Sequence, residues 1–336
     1  MKWPWVLIAL LCTPVAQAAN YASRDDVRQF IDEMVERHGM DQAALAKLFR
    51  ATPHLPRVIK AIMPPSDPGI RSWRAYRARF VEPKRIAAGH RFMQAHADKL
   101  AEAEARFGVP GEIIAAIIGV ETIYGRHTGR FATFAALTTL AFDYPPRAAL
   151  FRRELEELLL LAREERRSPL DYRGSYAGAL GLPQFLPSSL RRHGKDFDGD
   201  GRVDLSASVA DAIGSVGNFL AAHGWEKDAP IAIAVTVGGD NIQALVDDGI
   251  LPKRSPREWT AAGTSLTRVG AGDTAIAGTG DDFPNRPAAL IDLVSPDAAT
   301  EYRVGYGNFF VITRYNRSSF YAAAVMDLAA ELRQSQ

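Results

Sequence analysis

A chain of 336 residues, 47% hydrophobic and 24% charged, has an ordinary globular composition with material for two or three packed units, and is too apolar for a disordered chain. Its 40 Lys and Arg against 39 Asp and Glu give a formal charge of +1, a balance that argues against nucleic acid or an anionic membrane surface as partner. Its seven histidines form no H-E-x-x-H, no G-x-S-x-G occurs, and the one cysteine, Cys12, lies close to the N-terminus.

Residues 1–18 read as a signal peptide, with Lys2 as the positive end, Trp5 to Leu11 as the apolar stretch and Ala16-Gln17-Ala18 as the cleavage site. The chain is therefore expected to be exported to the periplasm. A membrane anchor is the alternative, but Pro4 and Pro14 break the apolar run, which falls short of the roughly 20 residues that span a bilayer. Lipidation of Cys12 is a second alternative, opposed by Leu11 where such signals place a small residue. Removal of residues 1–18 takes away Lys2 and no acid, leaving 39 basic and 39 acidic residues, and no cysteine for a disulfide.

Ser23, followed by Asp25 and Asp26, is the expected N-cap of a helix through Arg37, and a second helix runs from Asp41 to Ala51. A proline-rich link over residues 53–68 follows. Residues 70–107 carry Trp73, Tyr76, Phe80, Ile86 and Phe92 at helical spacing among many arginines, which predicts an all-helical N-terminal unit. The arginine runs at 71–79 and 163–167 read as solvated helix faces.

Pro110 and Gly125 bracket the next helix, the most apolar run beyond the N-terminus. Within it Glu121 falls seven residues after Ile114, four after Ile117 and three after Ile118, so it shares their inward stripe. An apolar pocket and the negative end of the helix macrodipole both raise a carboxyl pKa, which suits a general acid that must protonate a glycosidic oxygen. A structural glutamate paired with Arg126 or Arg130 is the alternative.

Helical patterns follow over 131–142 and, after Tyr144-Pro145-Pro146, over 148–166. The stretch Gly174-Ser-Tyr-Ala-Gly-Ala-Leu-Gly-Leu-Pro-Gln-Phe-Leu-Pro-Ser-Ser189 is rich in glycine and small residues, so its backbone can approach a ligand closely, with Ser175 and Gln184 as its hydrogen-bonding side chains. Tight packing alone would also account for it.

Asp196-Phe-Asp198-Gly-Asp200-Gly201-Arg202-Val203 places oxygen ligands, a turn glycine and an apolar residue at the spacing of an EF-hand-type calcium loop. Its twelfth position is Ala207 instead of glutamate, and Asp211 is the nearest replacement. Helix resumes over 209–225. Residues 230–300 read as a smaller mixed module, with a helical turn at Trp259 to Gly263 and strands at 288–294 and 303–312. A last helix is expected over 321–333.

Four segments in order resemble the lytic murein transglycosylases of the membrane-bound-type B group, glycoside hydrolase family 103. They are Ile117-Ile-Gly-Val-Glu-Thr-Ile-Tyr-Gly125, Gly174 to Ser188, the aspartate loop with Asp211-Ala-Ile-Gly-Ser215, and Ile312-Thr-Arg-Tyr-Asn316. The resemblance implies a mainly α, α+β fold: a lysozyme-like core over 106–230, completed by 299–322 and holding the calcium loop at 196–211. A helical domain over 19–105 would flank it, with 323–336 packing back on that domain, and a small mixed α/β module would cover 231–298.

Peptidoglycan glycan strands are the implied substrate, acted on by a monomer that meets other cell-wall enzymes. Glu121 takes the place of the single catalytic acid/base. Ser175, Gln184, Tyr315, Asn316, Tyr321 and Tyr76 take those of substrate-binding residues, and Phe219 stands where some members carry tyrosine. Asp196, Asp198, Asp200, Asp211 and the Arg202 carbonyl match the ligands of a structural Ca2+, with no cofactor for catalysis. Retaining and inverting glycosidases both need a second carboxylate, and the sequence offers none near Glu121. That favours formation of a 1,6-anhydroMurNAc end over the alternatives, hydrolysis by a lysozyme-type muramidase or non-catalytic peptidoglycan binding.

Overall fold

The structure, a computed structural model, describes residues 20–64, 71–269, 275–277 and 280–334. The signal peptide expected over 1–18 lies outside the described residues. Helix Gly111–Thr122 is buried along nearly its whole length, only Glu112 and Glu121 keeping part of their surface open. A helix apolar all round must be enclosed on every side. Helices Pro83–Ala95, Ala97–Phe107, Val209–Ala222 and Ser319–Arg333 supply that enclosure. Among the described residues no helix is long and apolar enough to cross a membrane.

The C-terminal helix Ser319–Arg333 lies against Gly111–Thr122 more extensively than against Trp73–Phe80 or Pro83–Ala95. Helix Thr133–Asp143 packs along Ala148–Glu164, which in turn carries Pro187–His193. A two-stranded ribbon pairs Phe131–Ala132 with Arg173–Gly174 in antiparallel register and brings the glycine-rich stretch beside the end of Gly111–Thr122.

A five-stranded antiparallel sheet has the spatial order 275–277, 265–269, 232–238, 301–305, 289–293. It forms over a separate hydrophobic cluster that includes Val235, Leu245, Trp259, Leu266, Leu290 and Val304. Strand Glu301–Gly305 is paired on both sides and runs directly into helix Gly307–Thr313, linking the sheet to Tyr315.

Four expectations need correction. The strand read over 303–312 ends at Gly305, and its β-branched Val311 and Ile312 are helical. Tertiary anchoring decides this: buried Asn308 accepts the Glu226 N–H at 2.9 Å and donates to the Glu226 and Ala229 carbonyls at 2.8 and 3.1 Å, fixing the first turn. The N-cap of the first long helix is Arg24, not Ser23, because buried Tyr21 draws 21–23 into a separate 3-10 turn.

The proline link contains helix Pro56–Ile62, with Pro56 at its first position, where the missing N–H costs nothing. The helix expected to stop at Gly125 ends at Thr122, with Ile123 and Tyr124 both left-handed at φ 52° and 55°. A β-branched residue there is a rare, strained conformation, of the kind that gathers at functional sites.

Candidate active site

Glu121 sits in the last turn of Gly111–Thr122. Its Oε1 accepts a hydrogen bond from the Tyr321 hydroxyl at 2.8 Å. Burial raises the Glu121 carboxyl from 4.5 to about 7, and the Tyr321 bond opposes the rise. Among the described residues Glu121 forms no ion pair, and the expected alternatives Arg126 and Arg130 are exposed. No second carboxylate contributes to the shift. With Oε1 accepting from Tyr321, Oε2 is the oxygen left to carry a proton when the carboxyl is neutral.

Three phenols register the charge of Glu121. Burial first, then that charge, raises the Tyr76, Tyr315 and Tyr321 hydroxyls. The Tyr315 ring stacks with Tyr321 at 6.2 Å and 12°. Tyr315 also meets Phe219 at 4.9 Å and Phe185 at 5.8 Å, and its hydroxyl donates to the Pro183 carbonyl at 2.5 Å. Phe219 thus belongs to the aromatic wall. Tyr76 joins a second ring cluster, with Phe80 at 4.9 Å and Phe320 at 5.7 Å.

The glycine-rich stretch is fastened to the Glu121 helix. Thr122 Oγ1 donates to the Leu182 carbonyl at 2.8 Å and accepts the Gly125 N–H at 2.9 Å. A Cβ on Gly129 would stand 2.1 Å from the Gly174 carbonyl oxygen, so the ribbon closes only around glycine there. Ser175 Oγ accepts the Ala179 N–H at 3.1 Å, which leaves the hydroxyl proton to donate. Gln184, left-handed at φ 53°, donates its amide to the Thr128 and Gly181 carbonyls at 3.1 and 2.9 Å. Asn316 is exposed, and its side chain makes no hydrogen bond among the described residues.

In the aspartate loop, carboxylate oxygens of Asp196, Asp198 and Asp211 lie within 4.8 Å of one another. Asp200 is not of this group: its Oδ1 accepts the Arg202 N–H at 2.9 Å. Asp211 is 1% exposed and accepts the Phe197 and Asp204 N–H groups at 2.8 and 2.7 Å. Ser208 Oγ donates to Asp198 at 2.6 Å, and that bond holds the Asp198 carboxyl below its ordinary range. Three carboxylates converge with no salt-bridge cation among the described residues, a hard-oxygen set that fits Ca2+.

The sequence did not single out Glu154, Thr122, Tyr124 or Arg85. Glu154 is 4% exposed and accepts both the N–H and the hydroxyl of Ser188, at 3.0 and 2.7 Å. Burial raises it, but both oxygens are engaged at the start of helix Pro187–His193, so its role is structural. Its place on the inward face of an amphipathic helix was the available signal. The others depend on contacts between distant segments.

The sequence profile of the transglycosylase SLT domain family matches residues 22–330. Membrane-bound lytic murein transglycosylase B of Escherichia coli (strain K12) is 39% identical over 322 residues, covering 92% of this chain and 83% of that protein. The crystal structure of soluble lytic transglycosylase SltB1 from Pseudomonas aeruginosa is 41% identical with a TM-score of 0.82, covering 92% of this chain and 99% of that one. Escherichia coli lytic transglycosylase Slt35, solved in complex with calcium, is 36% identical with a TM-score of 0.78, covering 95% and 96%.

Proposed function

The chain belongs to the transglycosylase SLT domain family, as a lytic murein transglycosylase acting on peptidoglycan, and from that premise we propose that Glu121 works alone as acid and then base. The observation that carries this reading is a solitary carboxyl, held near neutral by burial and bonded to one phenol, with no partner carboxylate acting on it.

Glu121 Oε2 gives its proton to the oxygen of the MurNAc-β-1,4-GlcNAc bond as that bond breaks. The N-acetyl group of MurNAc stabilises the cationic C1. The ionised Glu121, held by the Tyr321 hydroxyl, then takes the proton of the MurNAc C6 hydroxyl, whose oxygen bonds to C1. The product is a 1,6-anhydroMurNAc end; proton and electron pairs balance and no water is consumed. A buried site favours the internal alcohol by keeping water out. Ser175, Gln184, Tyr315, Asn316, Tyr321 and Tyr76 are proposed to bind the glycan.

Asp196, Asp198 and Asp211 would hold Ca2+, with Asp200 and the Arg202 carbonyl as the remaining expected ligands. The ion would brace the loop electrostatically; it has no part in the bond-breaking step. Export to the periplasm accords with this substrate.

Mass spectrometry of digested sacculi tests the mechanism. Wild-type enzyme is expected to leave anhydro ends, and Glu121→Gln to lose activity by about 10²–10⁴-fold, the worth of a general acid. Dominant products heavier by one water, or full activity in the variant, would overturn it.

A further inference from the structure

Arg85 is 7% exposed, an uncommon place for a guanidinium. Its Nε donates to the Gly119 carbonyl at 3.1 Å, and Nη1 donates to the Arg79 carbonyl. Gly119 lies two residues before Glu121, in the last turn of Gly111–Thr122, and its carbonyl also receives the closing Ile123 N–H at 3.1 Å. Arg79 lies in the last turn of Trp73–Phe80, the helix that carries Tyr76.

The Arg79 carbonyl, at the end of its helix, has no donor from that helix, the Gly119 carbonyl has a free lone pair beside its bond from Ile123, and the negative ends of both macrodipoles favour a cation. Here two such ends converge on one side chain. The Arg85 guanidinium also lies 5.3 Å from the Phe80 ring centroid, and Phe80 packs against Tyr76. On the far side, a Cβ at Gly89, one turn along from Arg85, would fall 2.3 Å from Tyr124 Oη, and one at Gly119 would fall 2.5 Å from it. The two helices therefore meet with no room for slack around Tyr124.

We propose that Arg85 is a positioning residue for the reaction: one buried guanidinium spans the C-terminal ends of the helices that carry Tyr76 and Glu121, and so fixes the acid relative to a substrate-binding wall. The proposal rests on the role assigned above to Glu121. Arg85 touches neither the substrate nor the carboxyl. It acts through the carbonyls of Arg79 and Gly119, and a displacement of about 1 Å at a reacting group is enough for a loss of order 10²-fold.

The test measures kcat and KM on soluble, uncross-linked glycan strands for Arg85→Lys and Arg85→Met, at temperatures where circular dichroism shows each variant folded. Leu45→Ala, a buried change in helix Gln42–Ala51, serves as the control for lost stability alone. Arg85→Met is expected to lose about 10–100-fold in kcat with KM within about threefold, and Arg85→Lys to fall between it and wild type, while Leu45→Ala keeps wild-type kcat when folded. Wild-type kcat in folded Arg85→Met overturns the proposal. If Arg85→Met does not fold, wild-type kcat in Arg85→Lys overturns it equally. Glu121→Gln, assayed alongside, separates the two claims: if it stays active, the reading of Glu121 fails, whereas a dead Glu121→Gln beside fully active Arg85 variants sinks only the role of Arg85.

Discussion

Burial lifts the Glu121 carboxyl from 4.5 to about 7, while the Tyr321 hydrogen bond, by favouring the ionised form, pulls it back. Loss of that bond must therefore raise the pKa further. In Tyr321→Phe the alkaline limb of the kcat/KM profile, which follows loss of the acid proton, is expected to move to higher pH. A limb that stays in place or moves down would show that Tyr321 does not act on the carboxyl. The same shift sets a stability cost. The folded pKa lies above the unfolded one, so stability is full below about pH 4.5 and declines as pH rises towards 7, by on the order of 3 kcal/mol in all. Glu121→Gln removes the ionisable group, and thermal unfolding should show it more stable than wild type at pH 8 and nearly equal at pH 4. An equal gain at both pH values would mean that packing, not ionisation, is responsible.

Among the elements, the glycine-rich stretch and the aspartate loop are joined by the backbone: Leu182 N–H donates to the Leu205 carbonyl at 2.8 Å, and the Leu182 carbonyl accepts from Thr122, next to Glu121. Asp211 anchors that loop from a helix that also carries Phe219. Asp211→Ala would strand two backbone N–H groups, one of them in a buried bond, and should cost about 2–4 kcal/mol in chemical denaturation. EDTA should lower the melting temperature of wild type and not of Asp211→Ala, without changing the products; an EDTA shift as large in the variant would dissociate Asp211 from the metal.

How far such elements can be read from sequence depends on the range of the contacts that form them. Three aspartates within a few residues announce their loop by spacing, and periodicity alone places Glu121 among buried isoleucines. The bond from Tyr321 spans 200 residues and has no local signature. Val311 and Ile312 read as strand because β propensity reports a half-buried surface, and here the buried surface is helical, pinned by Asn308. Arg85 has no signature of its own, since nothing nearby in sequence reveals that two helix ends meet it.

At the scale of the molecule, the walls of the proposed site come from chain segments far apart, around residues 76, 121, 175–184 and 315–321, so their alignment depends on how larger pieces are joined. One junction stands out. Asp327, on the C-terminal helix that carries Tyr321, accepts from Arg77 Nε at 2.6 Å and Arg303 Nη1 at 2.7 Å. Arg77 lies on the Tyr76 helix and Arg303 on the inner sheet strand 301–305, where its guanidinium lies 5.5 Å from the Trp73 ring centroid. The same helix and strand are tied again by Trp73 Nε1 donating to Glu301 at 3.0 Å. Side-chain exposures of 11% for Arg303 and 13% for Asp327 put this pair in the range where breaking it leaves an uncompensated charge, whereas Arg77, at 41%, keeps access to water. Asp327→Ala should therefore cost about 3 kcal/mol, most of it from stranding Arg303. In a double-mutant cycle measured by denaturant unfolding, adding Arg303→Met to Asp327→Ala should recover much of that loss, whereas adding Arg77→Met should not. Equal recovery by the two would mean that Arg77 is stranded as fully as Arg303 and that its exposure does not relieve it; recovery by neither would mean that both cations stay solvated once Asp327 is gone.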